Sequence, residues 1–272
     1  MNIVLLNKKS RNSTVIKFKN DVPYISYKAM DEIPWLTHGF STRLGGVSQG
    51  VLSSMNLGFG RGDLEENVVN NHKIIANAIG FESKNIVCSK QTHTTNVAVV
   101  GKEFKGNGIY KENCFTDIDG MITNEKNVVL ATYFADCVPL YMVDVKNKAI
   151  GLAHSGWRGT VGKIGACTLK KMKENYGTDS KDVIACIGPS ICMSCYEISE
   201  DVANEFKMAF PDNIDNILLN KGNGKYMLDL WECNRIVFRE CGVLEENIHL
   251  PDICTCCNDK MLFSHRATNG KR

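Results

Sequence analysis

Two apolar segments that lie close together constrain the fold of this chain more than any other feature. Residues 138–145 and 149–154 are rich in strand-forming side chains, and only a few polar residues around Lys146 and Asn147 separate them. So short a connection pairs them as an antiparallel hairpin. If the pairing runs through a turn near residue 146, Cys137, just before the first strand, lies opposite His154, at the end of the second. A thiol and an imidazole brought together there can ligate a zinc- or copper-type ion, or act as nucleophile and base. The plain alternative is a buried cysteine beside a histidine satisfied by backbone.

Other segments are legible around this hairpin. Residues 14–18 and 22–27 read as two strands joined by a turn at Lys19, Asn20 and Asp21. Residues 63–80 read as a helix with Asp63 and Glu66 as a capping box and Gly80 as its stop. The run 128–134 reads as a strand buried on both faces, and residues 86–88 as a short strand. A helix is expected over 160–176, with Ile164, Cys167 and Met172 inward and Gly177 as terminator. Residues 183–187 read as a strand and 199–210 as a helix ended by Pro211. A helix over 229–241 is signalled by Asp229 and Glu232 at its start and Gly242 at its end. Strands and helices mix without strict alternation, and no repeat or linker interrupts them. The 272 residues therefore read as one mixed α/β (α+β) domain, 1–272, of packed mixed β-sheets flanked by helices.

Two loops next to these strands combine arginine with glycine. Ser155-Gly156-Trp157-Arg158-Gly159-Thr160 leads from a strand into a helix, and Ser41-Thr42-Arg43-Leu44-Gly45-Gly46-Val47-Ser48 lies near the start of the chain. Such loops can turn N–H groups toward an anion while the guanidinium clamps its oxygens, or they can be ordinary turns with a surface arginine. With the Cys–His corner they point to an anionic or nucleotide-like small molecule. A formal net charge of +2 gives no general pull toward nucleic acid or anionic membrane. No window of the sequence is long and apolar enough to span a bilayer, and the apolar run within residues 1–10 is too short for a signal peptide. A cytoplasmic location is expected, where thiols stay reduced. The twelve cysteines then serve as apolar side chains, metal ligands or nucleophiles.

These pieces together resemble one family. His38-Gly39-Phe40-Ser41-Thr42-Arg43-Leu44-Gly45-Gly46-Val47-Ser48 is similar to the opening signature of the purine nucleoside phosphorylases formerly described as multicopper polyphenol oxidoreductases, the laccase-domain family. The likeness continues in order through Gln91-Thr92-His93, Asp119-Gly120, Ala135-Asp136-Cys137-Val138-Pro139, His154 to Thr160, Ile187-Gly188-Pro189-Ser190-Ile191, Cys195-Tyr196-Glu197 and Phe263-Ser264-His265-Arg266. The resemblance implies one zinc held by His93, Cys137 and His154, a three-ligand set that leaves a coordination position for substrate. It also implies phosphorolysis of adenosine, inosine, guanosine or methylthioadenosine, with adenosine deamination as a further activity. Purine nucleoside and phosphate would be the partners, with no nucleic acid and no membrane, and the protein would be a monomer or small homo-oligomer. Arg43 and Arg158 are the candidates for phosphate, Asp136 for an acid/base or a positioning carboxylate, and Gly45, Gly46, Gln91 and Arg266 for substrate contact. Two departures stand out: Ser155 where the family has alanine, and Ala267 where it commonly has a second arginine.

The six histidines test the oxidase description. A blue-copper site takes two histidines and a cysteine, which leaves four; His72 falls within a helix and His249 within an expected strand. A multicopper laccase is not expected, although copper binding in vitro at a Cys–His site fits the affinity order. The main rival function is a Cys–His amide hydrolase or editing enzyme acting on a cell-wall precursor, with Cys137 as nucleophile and His154 as base; a zinc-bearing partner protein without activity is the third. Cys192 and Cys195 form a Cys-x-x-Cys, whereas Cys254, Cys256 and Cys257 read as a cluster without that spacing, so these are expected to be ordinary reduced cysteines.

Overall fold

In a computed structural model that describes residues 13–271, the hairpin forms as Val138–Asp144 and Ala149–Ser155. Asp144 closes its loop, accepting the Asn147 N–H at 2.9 Å and the Asn147 side-chain amide at 2.8 Å. The hairpin is the middle of a six-stranded sheet in the order Ile248–His249, Val183–Ile187, Val138–Asp144, Ala149–Ser155, Gly120–Thr123, Val97–Val99. Both faces are covered. Val138, Leu140 and Met142 point into the largest core, with helices Ile164–Tyr176 and Leu230–Glu240. Val143 and Cys186 on the opposite face pack against Tyr27 and Met30. This alternation follows from the period of two along a strand.

Smaller sheets flank this one. Thr14–Lys19 and Val22–Tyr27 pair in register, with Asn20 and Asp21 both at positive φ in the turn, and Phe40–Ser41 adds a third strand. Glu197–Ser199, Lys225–Leu228 and Leu218–Gly222 form another antiparallel sheet, and Ile86–Cys88 pairs with Val129–Ala131 in parallel. The described residues thus make a mixed α/β fold with four sheets and seven α-helices. Among them no helix is long and apolar enough to cross a membrane. The apolar run within residues 1–10 lies outside the described residues.

Several elements differ from expectation for local reasons. Pro139 faces His154 and Val138 faces Ser155, so Cys137 lies opposite Gly156 rather than His154; a two-residue offset keeps every side chain on its face. The first long helix, Glu65–Ile79, starts after Asp63, whose carboxylate instead accepts the Leu64 N–H and the side chains of Asn56 and Asn67, so no capping box forms. The expected helix over 160–176 is two helices, Trp157–Val161 and Ile164–Tyr176, broken at Lys163 with φ 55°. The strand expected over 128–134 ends at Ala131, because the Gln91 side chain takes both backbone groups of Tyr133, at 2.8 and 3.0 Å. Asp229 caps Leu230–Glu240 as expected, but Glu232 pairs with Arg235 at 2.9 Å instead of completing the cap.

Candidate functional site

Asp119, one residue before the strand Gly120–Thr123, organises the site. Its carboxylate is fully buried and accepts the backbone N–H groups of Thr92 at 3.0 Å, His93 at 3.0 Å and Thr94 at 2.8 Å. The same carboxylate takes His154 Nδ1 at 2.8 Å, and the Asp119 carbonyl accepts the His154 N–H at 2.7 Å. One carboxylate therefore fixes the loop that carries His93 and the ring of His154. An ionised carboxylate only accepts, so Nδ1 carries the proton and Nε2 of His154 is left for another partner. Burial alone would raise the Asp119 carboxyl, but the hydrogen bonds from His154 and the loop amides outweigh it and hold the group at about 2.

Around that anchor His93, Cys137 and His154 converge, with their ligand atoms within 4.8 Å of one another. Cys137 Sγ is 3.9 Å from His93 Nε2, and the two imidazoles meet edge to face at 4.9 Å between centroids. Phe134 covers the other side of His154 at 5.5 Å. Burial would push the Cys137 thiol up, yet the contacts to His154 and His93 bring it down to about 7. His154 is moved the other way: burial lowers it, and Asp119 and Cys137 together raise it to about 9. The pair is thus disposed toward thiolate and imidazolium, or toward thiolate and a cation bound in the proton's place.

Gly156, opposite Cys137 in the hairpin, leaves room for these groups. A Cβ there would stand 2.6 Å from the His93 ring and 3.2 Å from Cys137 Sγ. Two imidazoles and a thiolate are donors that zinc accepts, and the backbone is bare where they meet. The same three atoms form one wall of a cavity of about 1790 Å³, also lined by Gln91, Asp136, Trp157, Tyr196 and Arg266. It exceeds the usual volume of small-molecule sites and is open enough for a substrate larger than a single ring system.

The other expected site residues divide. Arg158 is exposed and does not line the cavity, although Trp157 beside it does; its guanidinium lies 4.2 Å from the Trp157 ring centroid and, among the described residues, has no hydrogen-bond partner. Arg266 lines the cavity, but its guanidinium is occupied by the carbonyls of Cys195 and Glu197, at 3.1 and 3.0 Å. Asp136, with φ 86°, accepts Thr255 Oγ1 at 2.7 Å and the Arg266 N–H at 2.7 Å, so its carboxylate ties the residue before Cys137 to the C-terminal segment. Gln91 reaches the cavity with its amide engaged by Tyr133.

Arg43, Gly45 and Gly46 are not brought to the cavity. The Arg43 guanidinium bonds the carbonyls of Val51, Ser53 and Asp259 and stacks 4.7 Å from the Phe263 ring. Gly46 is there for close approach, since a Cβ would meet the Ser54 carbonyl at 2.2 Å and Asn71 Oδ1 at 2.6 Å. The amides of this loop go to protein partners, Gly46 N–H to Ser54 Oγ and Val47 N–H to Asn71 Oδ1, instead of facing an anion.

Two residues at the site were given no role by the sequence reading, although both fall in segments that carry the resemblance, Asp119-Gly120 and Cys195-Tyr196-Glu197. Asp119 also heads the strand that pairs with the His154 strand. Tyr196 lines the cavity. Its hydroxyl is pushed up by burial and by the fields of Cys137 and Asp136, against Arg266 and Arg158, and its ring lies 5.4 Å from the Arg266 guanidinium. A further grouping stands beside the expected one: the Sγ atoms of Cys192, Cys195, Cys254 and Cys257 also lie within 4.8 Å of one another and could hold a metal ion.

Known proteins of the same architecture share this arrangement of the chain. Residues 37–272 match the family model described as multi-copper polyphenol oxidoreductase laccase. The purine nucleoside phosphorylase YlmD of Bacillus subtilis is 37% identical over 234 residues, which are 86% of this chain and 84% of that protein. The crystal structure of YlmD from Geobacillus stearothermophilus superposes with a TM-score of 0.88 at 32% identity, over 94% of each chain. That of the Bacillus licheniformis hypothetical protein YfiH gives 0.87 at 31% identity, over 93% of this chain and 95% of the other. On this coverage and identity, the chain belongs to the multi-copper polyphenol oxidoreductase laccase family, whose curated relatives here are named purine nucleoside phosphorylases.

Proposed function

We propose that this protein is a zinc-dependent purine nucleoside phosphorylase whose reaction takes place at the wall formed by His93, Cys137 and His154. The observation that carries the reading is the Asp119-anchored convergence of those three donors on a large open cavity. The names of the relatives supply the substrate class, a purine nucleoside with inorganic phosphate, and adenosine, inosine, guanosine or methylthioadenosine are the nucleosides that the resemblance in the motifs implies. The chain acts as one domain, because residues 93, 137, 154, 196 and 266 reach one cavity.

In phosphorolysis a phosphate oxygen forms a bond to C1′ of the ribose while the bond from C1′ to the purine nitrogen breaks, and the base leaves with a proton. When bound, zinc would supply a Lewis acid at this wall. Arg158, whose guanidinium has no hydrogen-bond partner among the described residues and lies over the cavity-lining Trp157, is the cation assigned to phosphate. Tyr196 keeps its proton at neutral pH and donates to the base or ribose. Asp136 is a positioning residue: it holds the backbone at Cys137 through the contacts to Thr255 and Arg266. Arg266 and Gln91 shape the cavity wall through their backbone clamps. Copper binding in vitro at the same thiolate–imidazole set fits its affinity order.

A second reading is favoured by the chain Asp119–His154–Cys137, which also suits a thiol hydrolase with Cys137 as nucleophile. His93 separates the two, since only the metal site needs it. The decisive measurement follows adenosine in wild type, His93→Ala, Cys137→Ala and Asp119→Asn, with bound metal determined on each. Phosphate-dependent adenine release should fall in all three variants together with bound zinc, by roughly 10- to 100-fold in metal affinity for Asp119→Asn. Inosine formation would mark deamination at the same site. Full phosphorolysis in Cys137→Ala would defeat the metal reading, and amide cleavage by a zinc-free protein would establish the hydrolase.

A further inference from the structure

Four cysteines outside that centre form two facing turns. Cys192 and Cys195 bracket a turn in which the Cys195 N–H returns to the Cys192 carbonyl at 3.0 Å. Cys254 and Cys257 bracket another, closed by the Asn258 N–H on the Cys254 carbonyl at 3.2 Å. Both pairs are Cys-x-x-Cys; in the second, Cys256 interrupts the run and hides the spacing. Each turn presents two sulfurs to the other. Cys195 and Cys257, 62 residues apart, stand with Sγ atoms at 3.4 Å. Cys254 Sγ accepts N–H groups from Cys192 at 3.3 Å and from Cys257 at 3.4 Å. All four are free thiols, with Cys192 and Cys254 buried.

We infer that Cys192, Cys195, Cys254 and Cys257 hold a second ion, a structural zinc that staples the turn at residues 192–195 to the C-terminal segment and so fixes the cavity wall beside Cys137. Four thiolates make a closed tetrahedral set with no position left for substrate, which is the form of a structural site. Sulfurs ~2.3 Å from a common ion stand about 3.8 Å apart, between the 3.4 Å of Cys195 and Cys257 and the 4.8 Å that bounds the group, so shifts of about 1 Å or less bring the four onto one ion. Binding releases the four thiol protons and leaves a tetrathiolate with net charge −2. The two N–H···S bonds to Cys254 and the Arg266 guanidinium, seated on the Cys195 and Glu197 carbonyls, lie where they offset that charge.

What the staple holds is visible in the neighbours of the four cysteines. Ile191, next to Cys192, donates its N–H to the Asp136 carbonyl at 3.0 Å, and Thr255, next to Cys254, donates to the Asp136 carboxylate. Arg266 closes the ring with its own N–H to Asp136. Residues 251–271 contain only turns and isolated bridges, such as Ser190 with Cys254, so no helix or strand ladder of their own secures them. A metal that joins two segments far apart in sequence removes much of the conformational freedom such a tail would otherwise keep.

Metal content and intact mass of the purified protein test this. Wild type should carry two equivalents of zinc, Cys137→Ser one, Cys195→Ser/Cys257→Ser one, and Cys256→Ser both. The Cys195/Cys257 variant should also melt at a lower temperature, and adding Cys137→Ser to it should remove all metal. If the double variant does not fold, Cys137→Ser refilled with Co2+ keeps the question open to measurement: it should show the intense thiolate-to-cobalt and visible bands of a tetrathiolate site. The inference is overturned if Cys137→Ser binds neither zinc nor cobalt, if the Cys195/Cys257 variant keeps both equivalents, or if the wild-type mass is two units low because Cys195 and Cys257 are joined as a disulfide. Loss of phosphorolysis alone would bear on the His93–Cys137–His154 centre and not on this one.

Discussion

Single positions in this protein act through what they exclude as much as through what they supply. Gly156 is the sharpest case, because the side chain it lacks would occupy the space of the His93 ring. Its φ of −71° suits any residue, so Gly156→Ala meets no backbone strain, and exposed His93 is the group that has to move. The variant should fold with a nearly unchanged melting temperature, lose zinc from the first centre and drop kcat/KM for phosphorolysis by roughly 100-fold, the scale of an ångström-level misplacement. Wild-type activity in Gly156→Ala would show that His93 is not positioned by this contact. The role of Gly156 is invisible in the sequence, where it reads as one glycine of an anion-binding loop. Arg43 is the converse: an arginine between small residues suggests phosphate, but three nearby carbonyls take its donors first.

At the scale of the element, sequence signals held where they rest on backbone hydrogen bonds within a few residues. The turn at Asn20 and Asp21, the stop at Gly80 and the cap at Asp229 all depend on local geometry. Asp229 accepts the N–H groups of Trp231 and Glu232, both at 3.0 Å, so Asp229→Ala should cost about 1 kcal/mol, read as a shift in the denaturation midpoint at constant slope. A change below a few tenths would mean that packing of Leu230 and Trp231 alone holds the helix end. Signals failed where a distant side chain competed. Gln91 draws Tyr133 out of the strand that its β-forming neighbours would continue, and the partners Asn56 and Asn67 divert Asp63 from its cap. The hairpin register moved by two residues because the loop, closed by Asp144 on Asn147, is centred between Lys146 and Asn147 and not one residue earlier.

Across the whole molecule, burial of polar groups ties stability to pH. His38 and His72 are both lowered from 6.5 to about 4, in each case mainly by burial. His38 Nε2 accepts the Tyr27 N–H at 2.9 Å. His72 sits between Phe59 and Tyr133, with Nδ1 on the Val68 carbonyl at 2.8 Å and Nε2 facing the Tyr133 hydroxyl at 2.9 Å. The unfolded chain takes up these protons below about pH 6.5, whereas the folded chain resists until about 4. Stability is therefore complete above pH 6.5 and is lost as pH falls through that window, by about 1.4 kcal/mol per pH unit for each histidine. Urea midpoints at constant metal loading from pH 7 to 4.5 should show the slope, and His72→Gln should reduce it; a flat profile down to pH 5 would contradict the burial argument. The sequence by itself determined the α/β character of the fold, the hairpin and most helix ends, and through family resemblance it named His93, Cys137 and His154, which converge in the structure, because these follow from contacts between near neighbours or from ordered motifs. Only the tertiary structure decided that Asp119 anchors both histidines, that Gly156 and not His154 faces Cys137, and that Cys254 meets Cys192. Side chains so far apart in the chain converge only once sheet register and loop path are set, and those depend on how every segment packs against the rest.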